Sequence, residues 1–132
     1  MGKTNLQQTT LFSSKGSTWS SNAVLVQDYQ HVIATLSSSW SANFTIKFQW
    51  STQLEQPNFA SAQSPTNAWD YIQVKDYQNN ASIDGDTGIT FAGTDDVRMV
   101  ELNTNNLRWI WATITARSAG NINLFIVWSD NQ

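Results

Sequence analysis

The 132-residue chain contains no cysteine. Disulfide bonds and cysteine-ligated zinc sites are therefore excluded, and the absence favours folding in a reducing cytoplasm over secretion. The first residues, MGKTNLQQTTLF, hold no apolar run of signal-peptide length, and no stretch approaches the roughly 20 apolar residues that cross a bilayer. We therefore expect a protein made in the cytoplasm that has no membrane partner.

Charge is also scarce. Only 13% of residues are charged, about half the usual share, and the net charge is −3. The seven basic residues are scattered from Lys3 to Arg117 and form no stripe. Because nucleic-acid binding needs clustered cations that displace counterions, we expect no nucleic-acid partner.

The signatures of catalysis are missing too. His31 is the only histidine, and it lies in a predicted strand with no nucleophile motif beside it. Neither Glu55 nor Glu101 is paired by any pattern with a second carboxylate, as a glycosidase would require. No HExxH, GxSxG or P-loop motif occurs. We expect no catalytic residue, no cofactor and no enzyme activity.

What the sequence does contain is period-2 alternation. Phe44, Ile46, Phe48 and Trp50 alternate with polar residues, which is typical of a half-buried antiparallel strand. About eight such strands are predicted, and no capped amphipathic helix. They cover residues 4–12, 23–27, 30–36, 43–51, 69–76, 97–103, 107–117 and 121–129.

This pattern predicts an all-β, single-domain antiparallel β-sandwich, of the jelly-roll type. Residues 1–20 are expected to form an extended arm or an edge segment, and residues 21–132 the sandwich domain. Gly120 and Asn121 are a hairpin-turn signal between the last two predicted strands. Loops are expected at residues 13–22, 52–68 and 84–96.

The 84–96 loop is acidic and rich in glycine. It contains Asp84-Gly85-Asp86-Thr87-Gly88 and then Asp95-Asp96. Carboxylates two residues apart can present oxygens to Ca²⁺, but the remaining ligands of an EF-hand are missing. Tight turns, in which aspartate binds backbone amides and glycine supplies positive φ, explain the same residues. We predict a structural loop and no metal site.

Seven tryptophans are many for this length. Most alternate with polar residues or lie in apolar runs, which predicts that they belong to the core. Trp19 and Trp40 differ, because each stands alone in a Ser-rich segment. Exposed aromatics in such segments stack on sugars or anchor interfaces, and alternatively they plug the edge of a sandwich. They are the candidate interface or glycan-stacking residues.

The second half of the chain resembles small β-sandwich virion proteins of tailed bacteriophages, such as capsid decoration (cement) proteins. The resemblance covers roughly residues 43–128 and is a pattern of strands and turns, which includes Trp69–Val74, Asp84–Gly88, Gly93–Asp96, Glu101–Asn103 and Leu107–Trp109. It implies a place in the virion and no active site.

The expected function is therefore that of a non-enzymatic capsid decoration protein that stabilises a phage head. Its expected partners are further copies of itself, as a homotrimer, and the major capsid protein. Low charge and many tryptophans favour a subunit that buries much of its surface against copies of itself. The alternative is a carbohydrate-binding module or adhesin domain of a head fibre or tail that uses exposed tryptophans.

Overall fold

The computed structural model describes residues 6–16, 19–20, 23–26, 31–103 and 108–129. Within these ranges all regular structure is β, and every strand pairing is antiparallel. The strands are β1 (Leu6–Lys15), β2 (Trp19–Ser20), β3 (Val24–Leu25), β4 (His31–Ser51), β5 (Asp70–Tyr71), β6 (Val74–Asp76), β7 (Ala81–Ile83), β8 (Ile89–Ala92), β9 (Val97–Asn103) and β10 (Trp109–Ser129).

The ten strands belong to one sheet, with the order β1-β10-β4-β9-β6-β7. Its centre is the pair β4 and β10, each 21 residues long. The first half of β4 and the second half of β10, with β1, β9, β6 and β7, form what we call the first layer. The second half of β4 and the first half of β10, with β2, β3, β5 and β8, form the second layer.

The sheet folds over between the two layers, at a bend where the register of β4 and β10 shifts. Ala119 pairs with Asn43 and Asn121 with Ser39, and Gly120 between them has φ of 80°. A Cβ on Gly120 would lie 2.5 Å from Ala42 Cα, so only glycine allows this approach. The bulges sharpen the local twist and turn both strands from one layer into the other.

A single apolar core lies inside the fold. The buried side chains alternate along both long strands, and both layers bury the same face of the sheet. Because the members from both layers form one cluster, the two layers must face each other. The largest buried side chains are Phe12, Leu36, Phe44, Ile46, Phe48, Ile89, Phe91, Leu102, Ile110, Ile122 and Leu124.

The predicted all-β, antiparallel, sandwich-like domain is confirmed, but the division into strands differs. The predicted hairpin at Gly120–Asn121 is wrong, because β10 continues through both residues and pairs with β4 on either side. The predicted strands at 30–36 and 43–51 are likewise one strand. Short pieces such as β2 and β3 raise the count from about eight to ten. In a jelly roll the two layers are separate sheets. In this structure β4 and β10 run through both layers, so the two layers belong to one folded sheet.

The described part of the N-terminal segment is an edge strand. β1 pairs with the second half of β10, from Leu6 opposite Ser129 to Lys15 opposite Ile122. Phe12 is only 2% exposed and belongs to the core. Residues 1–5 and 17–18 of the predicted arm lie outside the described residues. Residues 6–15 therefore contribute to the fold of their own chain.

Within the described ranges, the chain has no helix with the length and apolar content that a membrane crossing needs.

Candidate binding surfaces

Trp40 lies at the outside of the bend in β4. It is 78% exposed, and its φ of 64° is followed by a φ of 52° at Ser41. Left-handed backbone is uncommon for residues with a Cβ and a clear outlier for a bulky one. We call Trp40 and Ser41 the Trp40 bend.

The loop before β9 holds the Trp40 bend in place. Asp95 Oδ1 accepts a hydrogen bond from the Ser41 amide at 2.8 Å. Ala42 O accepts one from the Gly93 amide at 2.8 Å, and the Ser38 amide donates to Asp96 O at 2.9 Å. An exposed indole is thus presented on a fixed backbone.

Trp19, the other tryptophan singled out from the sequence, lies elsewhere. Its backbone in β2 pairs with Ile114, at the edge of the second layer, whereas Trp40 lies at the bend between the layers. The structure therefore does not place the two candidates in one site, and the side chain of Trp19 lies outside the described residues. The same is true of the side chain of His31, whose backbone belongs to β4.

The expectation of one loop over residues 84–96 is wrong, because β8 (Ile89–Ala92) lies within it, and we keep the name 84–96 loop for the turns on either side of this strand. Most aspartates of these turns bind backbone amides. Asp84 Oδ1 accepts from the Asp86 amide at 2.9 Å, and Asp84 O accepts from the Thr87 and Gly88 amides. Gly88 has φ of 78°, as such a turn requires. Asp96 Oδ1 accepts from the Val97 amide at 2.8 Å. No group of three or more His, Asp or Glu in the described ranges could hold a metal ion.

The outer face of the first layer carries a partly exposed apolar surface. Met99 is 55% and Val97 56% exposed. Met99 lies opposite Thr35, which lies opposite Phe125 on the next strand. Phe125 and the neighbouring Ile33 and Val127 are half-buried. We call the surface formed by Ile33, Val97, Met99, Phe125 and Val127 the β9 face.

A polar border lies next to the β9 face. Glu101 of β9 pairs with Lys75 of β6, and Tyr77 follows β6 in the next turn. The hydrogen bond to Glu101, with smaller contributions from desolvation and from the Glu101 charge, raises the pKa of the exposed Tyr77 above its usual value. A phenol is protonated at neutral pH in any case, so the Tyr77 hydroxyl is the donor in this bond and the Glu101 carboxylate the acceptor.

The outer face of the second layer is covered by the loop at residues 52–69. Phe59 of this loop is 3% exposed, and its ring centroid lies 4.9 Å from that of Trp111. Gln49 connects the two, because its Nε2 donates to Phe59 O at 2.9 Å and its Oε1 accepts from the Trp111 indole. The expectation that Trp111 belongs to the core is wrong, since it lies on the outer face, half-buried beneath the loop.

Trp69, at the end of the same loop, separates two cavities. A cavity of about 400 Å³ lies on the side of Phe59, Tyr71 and Trp111. Another, of about 410 Å³, is lined by Trp50, Thr52, Gln63, Ser64, Trp69 and Asp70, and we call it the Trp69 cleft. Both are large enough for a small ligand, since such sites occupy about 300–1,000 Å³.

Two contacts fix the indole of Trp69. Its Nε1 donates to Ser61 O at 2.8 Å, and its ring meets that of Tyr71 edge-on, with centroids 5.2 Å apart. Sequence reasoning missed this position, because Trp69 begins a predicted strand and so resembled a core residue. The signal that could have found it is the long polar loop before it, which the tryptophan closes.

Neither a protein-family model nor a curated protein sequence matches the chain. Among solved structures, the chain is similar to the SPBc2 prophage-derived protein YomS. The TM-score is 0.68, and the likeness covers 98% of this chain and 96% of that one, at 9% sequence identity. At this identity the likeness shows the fold alone: over nearly its whole length, the chain has the fold of a prophage-derived protein.

Proposed function

We propose that this protein is a non-enzymatic structural component of a bacteriophage particle. In this proposal it is a capsid decoration protein that associates with copies of itself as a homotrimer and attaches to the major capsid protein. The observation that carries the proposal is the Trp40 bend, where an exposed indole is held on a strained and firmly bonded backbone. Such an arrangement suits a residue that anchors a contact with another molecule.

The size of the Trp40 surface supports an anchoring role. Aromatic side chains bury about 150–250 Å², and 78% of Trp40 remains accessible. At about 25 cal/mol per Å², covering that surface would contribute about 4 kcal/mol. Because the Trp40 bend is already ordered, little further conformational entropy is lost when a partner covers it.

The β9 face supports self-association. It is apolar at Val97 and Met99 and is bordered by the opposite charges of Glu101 and Lys75, as in interfaces that have an apolar centre and a polar rim. Specific interfaces bury about 800 Å² per partner, and a sheet face offers a flat surface for such a contact. The chain's low charge is also unusual for a surface that stays in water.

The phage setting is supported by the likeness to the prophage-derived protein YomS, which extends over almost the full length of both chains. The absence of enzyme activity is supported by three of the four carboxylates of the 84–96 loop. Asp84, Asp95 and Asp96 accept hydrogen bonds from backbone amides of the loop and bend. Each of these carboxylates has a structural role in holding a turn or the Trp40 bend.

Self-association is tested by multi-angle light scattering over a wide range of concentration. We expect a mass of about 44 kDa, three times the 14.8 kDa of one chain. Met99→Glu places a charge in the β9 face and should give monomers. Thr90→Glu is the matched control, since Thr90 is an exposed strand residue of the second layer. A mass of 14.8 kDa for the unmodified protein at every concentration would refute the trimer.

Attachment is tested by immunoblotting purified particles of the phage that encodes the protein. Particles assembled with the Trp40→Ala variant should lose the protein, although its melting temperature should be unchanged. Leu54→Ala is the control, because Leu54 is similarly exposed, at 75%, but lies outside the Trp40 bend. If the protein is absent from particles made with the unmodified chain, the decoration role is wrong.

A further inference from the structure

The Trp69 cleft combines an aromatic wall with unpaired hydrogen-bond acceptors. We infer that it binds a neutral saccharide. This function goes beyond the proposed role in assembly and does not depend on it. The cleft lies in the second layer, between the end of β4 and the 52–69 loop, whereas the β9 face belongs to the first layer. Both functions can therefore be present in one subunit.

The aromatic wall is already ordered without a ligand. The hydrogen bond to Ser61 O and the edge contact with Tyr71 fix the plane of the Trp69 indole, and Trp50 lines the same cleft. The C–H face of a pyranose ring is apolar, so it can stack on an indole. A fixed tryptophan provides this contact at a small cost in conformational entropy.

Hydrogen bonds also fix the polar side chains of the cleft, Gln63 and Asp70. Gln63 Nε2 donates to Trp69 O at 2.7 Å and to Asp70 Oδ1 at 3.3 Å, and Asp70 Oδ1 also accepts from the Tyr71 amide at 2.8 Å. Among the described residues, no donor reaches Asp70 Oδ2 or Gln63 Oε1. Two acceptors on fixed side chains therefore remain for a ligand, and the hydroxyl groups of a sugar are donors of the required kind.

The base of the cleft is held by further bonds. Ser51 Oγ donates to Ala68 O at 2.6 Å, and the Ala68 amide donates to Gln53 Oε1 at 3.0 Å. These contacts join the end of the loop to the end of β4. The cleft is thus formed by bonded backbone, which suits a site that exists before the ligand arrives.

The charge of the cleft favours a neutral ligand. Asp70 supplies a carboxylate, and no Lys or Arg is among the residues that line the cleft. Arg108 lies next to the cleft, but its guanidinium donates to Thr52 O at 2.7 Å. An anionic sugar or a phosphate would therefore meet the like charge of Asp70 with no cation in the lining to offset it. Nucleic acid is disfavoured on the same ground, since its binding relies on cations along the backbone.

The experiment is a glycan array probed with the labelled full-length chain, followed by titration calorimetry with the strongest oligosaccharide. The array carries neutral hexose and N-acetylhexosamine oligomers together with sialylated and sulfated ones. A single-stranded DNA oligonucleotide and a proline-rich peptide are titrated in parallel. The variants are Trp69→Ala and Asp70→Asn, with Trp40→Ala as the control for an exposed tryptophan outside the cleft.

We expect binding to neutral oligosaccharides. Trp69→Ala and Asp70→Asn should each raise the dissociation constant by about tenfold or more, and Trp40→Ala should leave it unchanged. Asp70→Asn keeps the shape and the Oδ1 acceptor but replaces Oδ2 with a donor, so it remains informative if Trp69→Ala weakens the loop. Loss of binding in Trp40→Ala alone, a preference for anionic glycans, DNA or the peptide, or no binding at all would each overturn the inference.

Discussion

Among the three glycines with positive φ in the described part of the chain, Gly120 should be the one whose replacement by alanine costs the most stability. Gly120→Ala introduces a Cβ that would lie 2.5 Å from Ala42 Cα, 2.6 Å from Ser39 O and 2.8 Å from Ala42 Cβ. Ala42 Cα and Ser39 O are backbone atoms, and Ala42 Cβ is bonded directly to the backbone. None of the three can therefore move aside without a shift of the backbone. Gly93→Ala is the matched control: its φ is 69°, and nothing lies within 4 Å of its added Cβ.

The two variants separate backbone strain from crowding. Left-handed backbone costs alanine about 1–2 kcal/mol, and the loss of chain entropy in the unfolded state offsets roughly 0.4–1 kcal/mol of this. Gly93→Ala should therefore lower the free energy of unfolding by about 1 kcal/mol. Gly120→Ala adds overpacking, at about 1–3 kcal/mol, so its total loss should be about 2–4 kcal/mol.

The assay is thermal unfolding followed by far-ultraviolet circular dichroism, supported by urea titration. For a chain of 132 residues, 1 kcal/mol corresponds to about 4 °C in melting temperature. We expect a fall of about 4 °C for Gly93→Ala and about 8–16 °C for Gly120→Ala. If both variants unfold at the same temperature, close approach at the bend is not what requires glycine, and the reasoning fails.

Three further outcomes are expected. Phe12→Ala should lower the free energy of unfolding by about 3–5 kcal/mol in urea titrations, because Phe12 is buried, whereas Thr10→Ala at an exposed neighbouring position should change little. The raised pKa of Tyr77 means that its contribution to stability is present below the ordinary pKa of 10.0 and is lost as pH rises through the folded-state value. Urea titrations of Tyr77→Phe should show less alkaline destabilisation, and a phenolate absorbance titration of Glu101→Gln should show a lower pKa for Tyr77. Calcium should not change the melting temperature; a rise that disappears in the double variant Asp84→Ala, Asp86→Ala would instead reveal a metal site.

The fold class could be predicted from the sequence because the alternation that defines a strand is local. Phe44, Ile46 and Phe48 alternate with polar residues, and all three are buried. The continuity of β4 could not be predicted, since its middle reads Ser-Ser-Ser-Trp-Ser-Ala, which has little β-propensity. The ladder continues there because β10 and the loop before β9 bond to this segment, and both are distant in sequence.

The candidate sites show the same limit. Gly120–Asn121 has the composition of a hairpin turn. In the structure, however, the positive φ of Gly120 belongs to a bulge where β10 pairs with β4. The position of Trp111 depends on Gln49 and Phe59, which are far from it in the chain. Trp111 stands between Ile110 and Ala112, an apolar run which indicates that both faces of the strand are at least partly covered, but not that a loop covers the face of Trp111.

The pairing of β4 with β10 also has a consequence for the time course of folding. Ser51 pairs with Trp109 and His31 with Ser129, so from nearly half to about three quarters of the chain separates the partners. Closing such long loops precedes any gain from the contacts, which makes folding slow, on the order of milliseconds to seconds. During synthesis, the apolar face of β4 stays uncovered until β10, the last of the ten described strands, has been made. Aggregation of the nascent chain is therefore the hazard that this topology creates, and a chaperone that holds β4 would raise the yield of folded protein.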